Sequence, residues 1–461
     1  MKFLVDQHAH HHPTNIALIG DNEQFSYEKL AQITTGIAQF FQQQGVTGRV
    51  AMVLPLDIDY VILFLALLRL EVLIVPINTR FPDEKIQEIL DEHHCQYVIC
   101  DRERHLSVDN IFYREDFSLR DFAQTPFSLQ EIDAEKPSTV VFTSGSTGKS
   151  KGAVHTFANH YYSALGSNEH IPISPENRWL LSLPIYHVAG IAIVFRCLTA
   201  GATIVCSQKD MATAITDHSI SHISLVTTQL QRLIDNNHDL STLEHILVGG
   251  SAVGASLVQK AIDYGLNIYT SYGSTEMSSQ IATTTRLSAS CDNDRFRPLR
   301  YRDLKISTEG EILVKGHTLF RGYLQGSQVV GVTDEKGWYH TGDYGAVKEG
   351  YLRVYGRKDH MFISGGENIH PQEIEKELYT LSQVKNAIVV AIPHAEFGFR
   401  PVAFVDTTLT AQQLKQYLQK RLASFKIPDH FLEWPQHVPM KGIKPDRNYF
   451  VKEAHTQWGI S

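Results

Sequence analysis

Short, uninterrupted apolar runs alternate with helix-length segments through the first part of the chain. Residues 50–54 form one run, closed by Pro55; 58–70 are helix-length; 72–76 form a second run; 82–92 are amphipathic; 97–100 form a third. A strand buried on both faces reads as a continuous apolar run, and strands separated by helices pair in parallel through crossovers. The same texture returns at 179–183, 202–206, 223–226 and 246–248. Near Asp303 it changes: 304–320 and 351–354 alternate apolar and polar positions around Glu309-Gly310 and Glu349-Gly350 turns, the pattern of half-exposed antiparallel strands. Beyond Gly356 a smaller α+β region follows, with helices predicted at 371–381 and 411–422. The pattern predicts an α/β fold with a domain boundary at 357–360, giving domains 1–358 and 359–461.

Bulk properties narrow the classes. A chain of 461 residues exceeds one ordinary core. Lys plus Arg number 42 against 50 Asp plus Glu, a formal charge of −8, which argues against a general nucleic-acid or membrane-surface binder. The most apolar stretch, 60–76, is interrupted by Arg69 and Glu71 and is shorter than the ~20 residues that span a bilayer. Met1 to Ile19 lacks the apolar stretch of a secretory leader, and the five cysteines form no Cys-x-x-Cys pair, so a cytoplasmic protein with reduced thiols is expected. His8, His10, His11 and His12 have no Cys or carboxylate cluster to complete a metal site, and the terminus is expected to be mobile.

Chemistry enters at the end of the apolar strand Val140-Val141-Phe142. The next ten residues, Thr143-Ser144-Gly145-Ser146-Thr147-Gly148-Lys149-Ser150-Lys151-Gly152, hold three glycines, five hydroxyls and two lysines. Glycine lets backbone approach an anion closely, hydroxyls donate to phosphate oxygens, and lysine offsets their charge. The competing P-loop pattern needs a glycine where Thr143 stands, so its spacing fails.

With its flanks, this segment resembles the phosphate loop of the acyl-adenylate-forming superfamily, the AMP-forming acyl-CoA synthetases and their relatives. Further signatures follow in the family's order: Gly249-Gly250-Ser251, Ser271-Tyr272-Gly273-Ser274-Thr275-Glu276, Tyr339-His340-Thr341-Gly342-Asp343, Tyr355-Gly356-Arg357-Lys358-Asp359, Ile363-Ser364-Gly365-Gly366-Glu367-Asn368-Ile369, and Gly442-Ile443-Lys444. The resemblance implies two similar parallel-sheet subdomains, a small β-barrel-like subdomain and a mobile C-terminal domain. It implies ATP, Mg²⁺ and coenzyme A as co-substrates, with small molecules as partners; a homo-oligomer is left open. The loop Thr143, Ser144, Gly145, Ser146, Thr147, Gly148 and Lys151 would hold phosphates. Gly249, Gly250, Ser251 and Gly273 would border adenine while Tyr272 stacks on it. Thr275 would meet the α-phosphate, Glu276 would ligate Mg²⁺, and Asp343 and Arg357 would hold the ribose. Lys444 would bridge carboxylate and α-phosphate, Asp359 matches the hinge, and Gly365 and Gly366 would line the coenzyme A channel. The chain departs from the family in having Pro439-Met440-Lys441-Gly442-Ile443-Lys444 where Thr-x-x-Gly-Lys is usual, so Lys441 rivals Lys444; Ser150 replaces a common proline.

For the acid, Leu183-Pro184-Ile185-Tyr186-His187-Val188-Ala189-Gly190 resembles the pocket segment of acyl- and aryl-acid activators. The aspartate that amino-acid activators use for an ammonium group is absent between Leu183 and Gly201. His187 would border the carboxylate. Arg196 is the only charge in an apolar, helix-length stretch, where a cation is costly unless paired. Either a structural ion pair or a substrate with a second carboxylate would explain it; the second is expected. The rival readings are a fatty-acyl or benzoyl ligase, a ligase serving a carrier protein, and a non-catalytic adenylate-binding relative.

Overall fold

Continuous apolar runs demand cover on both faces, and five alternating layers supply it. A computed structural model describes residues 1–461 except 117, 145–149, 251–252, 254, 289–294, 365–366, 395, 442–443 and 458–461; the side chains of 144, 150, 255, 256, 359, 368, 441 and 444 also lie outside the description. In the first sheet, Leu73–Pro76, Arg49–Val53, Tyr97–Cys100 and Asn110–Tyr113 run parallel. Along Arg49–Val53 the side chains divide: Val50 and Met52 join one apolar cluster, Ala51 and Val53 another. In the second sheet, Ile268–Ser274, His245–Gly249, His222–Val226, Arg178–Leu180, Thr203–Val205 and Ile16–Ile19 lie side by side in parallel. Between the sheets pack the helices Tyr27–Gln43, Ile58–Arg69, Phe157–Asn168 and Val188–Ala200, all contributing to the largest cluster.

A four-stranded antiparallel sheet follows: Arg302–Ile306, Glu311–Gly316, Tyr339–Lys348 and Tyr351–Arg357. It is linked to the edge of the second sheet by the Phe296–Leu352 bridge. The last region is a long antiparallel pair, Val384–His394 and Gly398–Thr407, extended by Phe362–Ser364, Glu367–Ile369 and His430–Glu433. Pro371–Tyr379 and Ala411–Gln419 cover one face and Arg447–Gln457 the other.

The elements form where the pattern places them, with shorter ends. The strand predicted at 179–183 is Arg178–Leu180, and the helices predicted at 371–381 and 411–422 stop at Tyr379 and Gln419. The N-terminus differs from expectation. Far from a mobile tail, Leu4–His11 is a helix whose Leu4, Val5 and Ala9 are buried, with Asp6 paired to Arg69 in the core. His8 bonds the Leu198 carbonyl at 2.8 Å and packs on Tyr27. No group of His, Cys, Asp and Glu able to hold a metal by itself occurs among the described residues. Cys95, Cys100, Cys197 and Cys206 are buried free thiols, while Cys291 lies outside the described residues. Among the described residues no helix is long and apolar enough to cross a membrane.

Candidate active site

Two strands flank the hydroxyl-rich segment: Pro137–Ser144 pairs antiparallel with Ser150–Thr156, setting Thr143 opposite Lys151 and Ser144 opposite Ser150. Gly145, Ser146, Thr147 and Gly148 lie outside the described residues. The Thr143 hydroxyl donates to the Lys151 carbonyl at 3.3 Å. Lys151 Nζ sits 5.2 Å above the Tyr323 ring. That tyrosine donates its hydroxyl to Glu276 Oε1 at 2.6 Å. The paired strands and the carboxylate thus lie side by side, joined through Tyr323. Glu276 follows Thr275 in a single 3₁₀ turn, and buried His155 holds the turn from the hairpin side through a 2.7 Å bond to the Thr275 carbonyl. A carbonyl only accepts, so His155 must carry its proton on Nε2. Burial pushes the imidazole down to about 4, so it is neutral at pH 7. Glu276 Oε2 has no protein partner among the described residues. One oxygen anchored and one open fits a hard cation that completes its shell with phosphate and water oxygens.

The residues expected to hold the nucleotide meet at Asp343. Tyr272 donates its hydroxyl to Asp343 Oδ2 at 2.6 Å; burial, then the adjoining carboxylate, push that phenol well above its usual range. Asp343 stands opposite Arg357 in the strand register, and Arg357 Nη1 reaches Asp343 Oδ1 at 3.3 Å and the Thr341 carbonyl at 3.0 Å. Gly249 ends its strand and Gly250 takes a φ of +85° that favours glycine. At Gly273 a Cβ would collide with the Ser279 carbonyl, so the strand bearing Tyr272 can fold against Ser279–Thr283 only with glycine there. Ser251 lies outside the described residues.

His187, expected to border the acid, precedes the helix Val188–Ala200 and packs edge-on to Tyr186 at 4.7 Å. Burial lowers its pKa, favouring the uncharged ring. Gly190 is fixed by close approach: a Cβ there would run into the Pro184 carbonyl. Gly190→Ala is expected to lose about 1–3 kcal/mol of stability, because backbone rather than a yielding side chain meets the methyl; an unchanged urea midpoint would contradict this. Arg196, on the same helix, is 2% exposed and lies 5.3 Å over Trp179. It donates to Ser167 Oγ at 2.9 Å and Gln280 Oε1 at 2.7 Å, and among the described residues no carboxylate pairs with it.

Three supporting residues carry no motif signal: His155, Tyr323 and Glu311. Glu311 Oε1 accepts from the Gly342 amide at 3.0 Å, holding the turn that presents Asp343, while its Oε2 lies 4.0 Å from Lys358 Nζ. Glu311 is a buried glutamate at the start of an antiparallel strand. In the C-terminal region, Asp359 falls in the 3₁₀ turn Lys358–His360 directly after Arg357. Lys441 and Lys444 oppose each other in a two-stranded pairing, their side chains outside the description, as are Gly365 and Gly366.

Known proteins resemble this chain in sequence and fold. The AMP-binding enzyme model matches residues 5–324 and the AMP-binding enzyme C-terminal domain matches 373–442. The 2-succinylbenzoate–CoA ligase of Haemophilus influenzae is 36% identical over 434 residues, 90% of each chain. The o-succinylbenzoate CoA synthetase of Bacillus subtilis in complex with its acyl-adenylate intermediate superposes with a TM-score of 0.84 at 27% identity, covering 98% of each chain. The same enzyme with ATP and magnesium ion gives 0.84 at 26%, over 98% of this chain and 99% of that one. The chain belongs to the AMP-binding enzyme family and is an AMP-forming acid–thiol ligase.

Proposed function

We propose that the protein joins 2-succinylbenzoate to coenzyme A for menaquinone biosynthesis. ATP and the acid give the acyl-adenylate and pyrophosphate, and the thiol of coenzyme A then displaces AMP. The observation that carries the choice of acid is Arg196, a buried guanidinium held by neutral groups on the helix that begins beside His187. A buried charge is costly unless paired, and an anion arriving with the substrate would give Arg196 the partner that the described residues do not supply. 2-Succinylbenzoate has two carboxylates, one to be activated beside His187 and one to meet Arg196.

The remaining roles are read from the match to the family's motifs. Tyr272 packs on adenine, with Gly249, Gly250, Ser251 and Gly273 leaving room for the base; Asp343 accepts from the ribose hydroxyls and Arg357 donates to the same sugar. The segment from Thr143 to Gly148, with Lys151, cradles the phosphates, and the Thr275 hydroxyl donates to the α-phosphate. Glu276 would hold Mg²⁺, which when bound offsets charge on the polyphosphate. Lys444 bridges the two anionic reactants. Asp359 is the pivot between domains 1–358 and 359–461, and Gly365 and Gly366 give pantetheine passage. A cytoplasmic location suits reduced, buried thiols.

Arg196→Ala is expected to raise KM for 2-succinylbenzoate about a hundredfold, the scale of losing one desolvated charge partner, while KM for ATP stays unchanged. Pyrophosphate release measures both. Unaltered kinetics with this acid would remove the assignment, and benzoate or medium-chain acids outperforming it in the same assay would replace it.

A further inference from the structure

Two arginines of this protein are almost wholly buried on interior helices, and their partners differ. Arg69 is neutralised: its guanidinium pairs with Asp6, and the two side chains are 3% and 0% exposed. Arg196 is held as firmly but only by neutral acceptors, Ser167 Oγ, Gln280 Oε1 and, at 3.5 Å, Ser279 Oγ. Its Nη1 makes no protein hydrogen bond among the described residues. The orientation of Gln280 is unambiguous. A guanidinium only donates, so it must meet the amide oxygen, and the amide nitrogen donates to Thr283 Oγ1 at 2.7 Å. The Gln280 carbonyl is fixed in turn by Arg302 Nε at 2.6 Å. Gln280 also stands opposite Gly273 in the strand register, which places Arg196 behind the segment bearing Tyr272 and Thr275.

We infer that Gln280 is a specificity-determining residue: a neutral clamp that aims Arg196 while leaving its charge for the second carboxylate of the acid. This rests on the reading of Arg196 given above. Gln280 does not touch the reacting atoms; it acts by withholding a carboxylate from the one place where a structural ion pair would put it.

The test is Gln280→Glu in the full-length protein, beside Gln280→Met and Arg196→Ala. Glutamate keeps the shape and neutralises Arg196. Its melting midpoint without substrate should therefore rise above the parent's, while KM for 2-succinylbenzoate rises about a hundredfold and KM for ATP stays constant. Methionine removes the clamp but not the charge, so its KM for the acid should rise less than tenfold, with no gain in melting midpoint. A purely structural role would not raise stability and KM together. If Arg196→Ala raises KM for the acid and Gln280→Glu does not, or if the Glu and Met proteins lose equally, the inference about Gln280 fails and the reading of Arg196 stands. A Gln280→Glu protein less stable than the parent also overturns it. If Arg196→Ala leaves KM unchanged, the underlying reading is the one that fails.

Discussion

The Lys444→Ala protein is expected to form acyl-adenylate about a thousandfold more slowly than the parent, yet to turn supplied acyl-adenylate into thioester at a near-parent rate. The first half-reaction brings a carboxylate against a triphosphate, and a cation fixed between them stabilises charge that builds at the α-phosphorus; removing one such preorganised donor costs on the order of 10²–10³ in rate. The second half-reaction expels AMP under attack by a thiol and has no comparable anion–anion approach. Lys441 opposes Lys444 in register, so Lys441→Ala is the matched control. It should leave both half-reactions within a few-fold of the parent, as expected for a substitution that removes no bridging charge. Pyrophosphate release reports the first step, and thioester formation from synthetic adenylate the second. Equal loss of both in Lys444→Ala would reject the division of labour; selective loss of the first in Lys441→Ala would move the role to that lysine.

Acid should unfold the protein well above the carboxylate range. His155 and His222 are buried and bond backbone carbonyls, and the pull of Glu276 on His155 is outweighed; burial lowers each from 6.5 to about 4, and His160, packed against His155, is pushed well below 6.5. Above pH 6.5 these rings are neutral both folded and unfolded, and pH has no leverage through them. Between 6.5 and 4 the unfolded chain takes up protons that the folded chain refuses, so stability falls as pH falls. By pH 5 this amounts to on the order of 2 kcal/mol per imidazole. Urea midpoints at pH 7.5 and 5 measure it, and a midpoint unchanged between them would contradict the burial of these rings as neutral groups.

What the sequence disclosed follows the range of the interactions involved. Strands such as Arg49–Val53 announce themselves because two apolar clusters claim alternate residues, leaving no polar position to blur the run. The phosphate hairpin and the Tyr272–Glu276 segment are legible because chemistry fixes residue types at short spacing. The first helix was hidden because His8, His10, His11 and His12 read as a polar tail, while its stability comes from burying Leu4, Val5 and Ala9 and from an ion pair with Arg69, 63 residues away. His155, Tyr323 and Glu311 were invisible for a related reason. Each acts through one contact across 120, 47 or 31 positions, and a single polar residue at such a distance leaves no periodicity to detect. Arg196 was the exception, since an isolated charge in an apolar helix is anomalous locally. Its neutral partners had to be seen in three dimensions.

The hydroxyl of Tyr272 on Asp343 has a consequence for how this protein could change. The residue proposed to sense the base donates a hydrogen bond to the one proposed to sense the sugar, so substitutions at the two should be strongly non-additive in a double-mutant cycle. A lineage drifting toward another nucleotide could not adjust one position and later the other without crossing a poorly binding intermediate. On those proposed roles, preference for adenosine would be inherited as a single coupled trait.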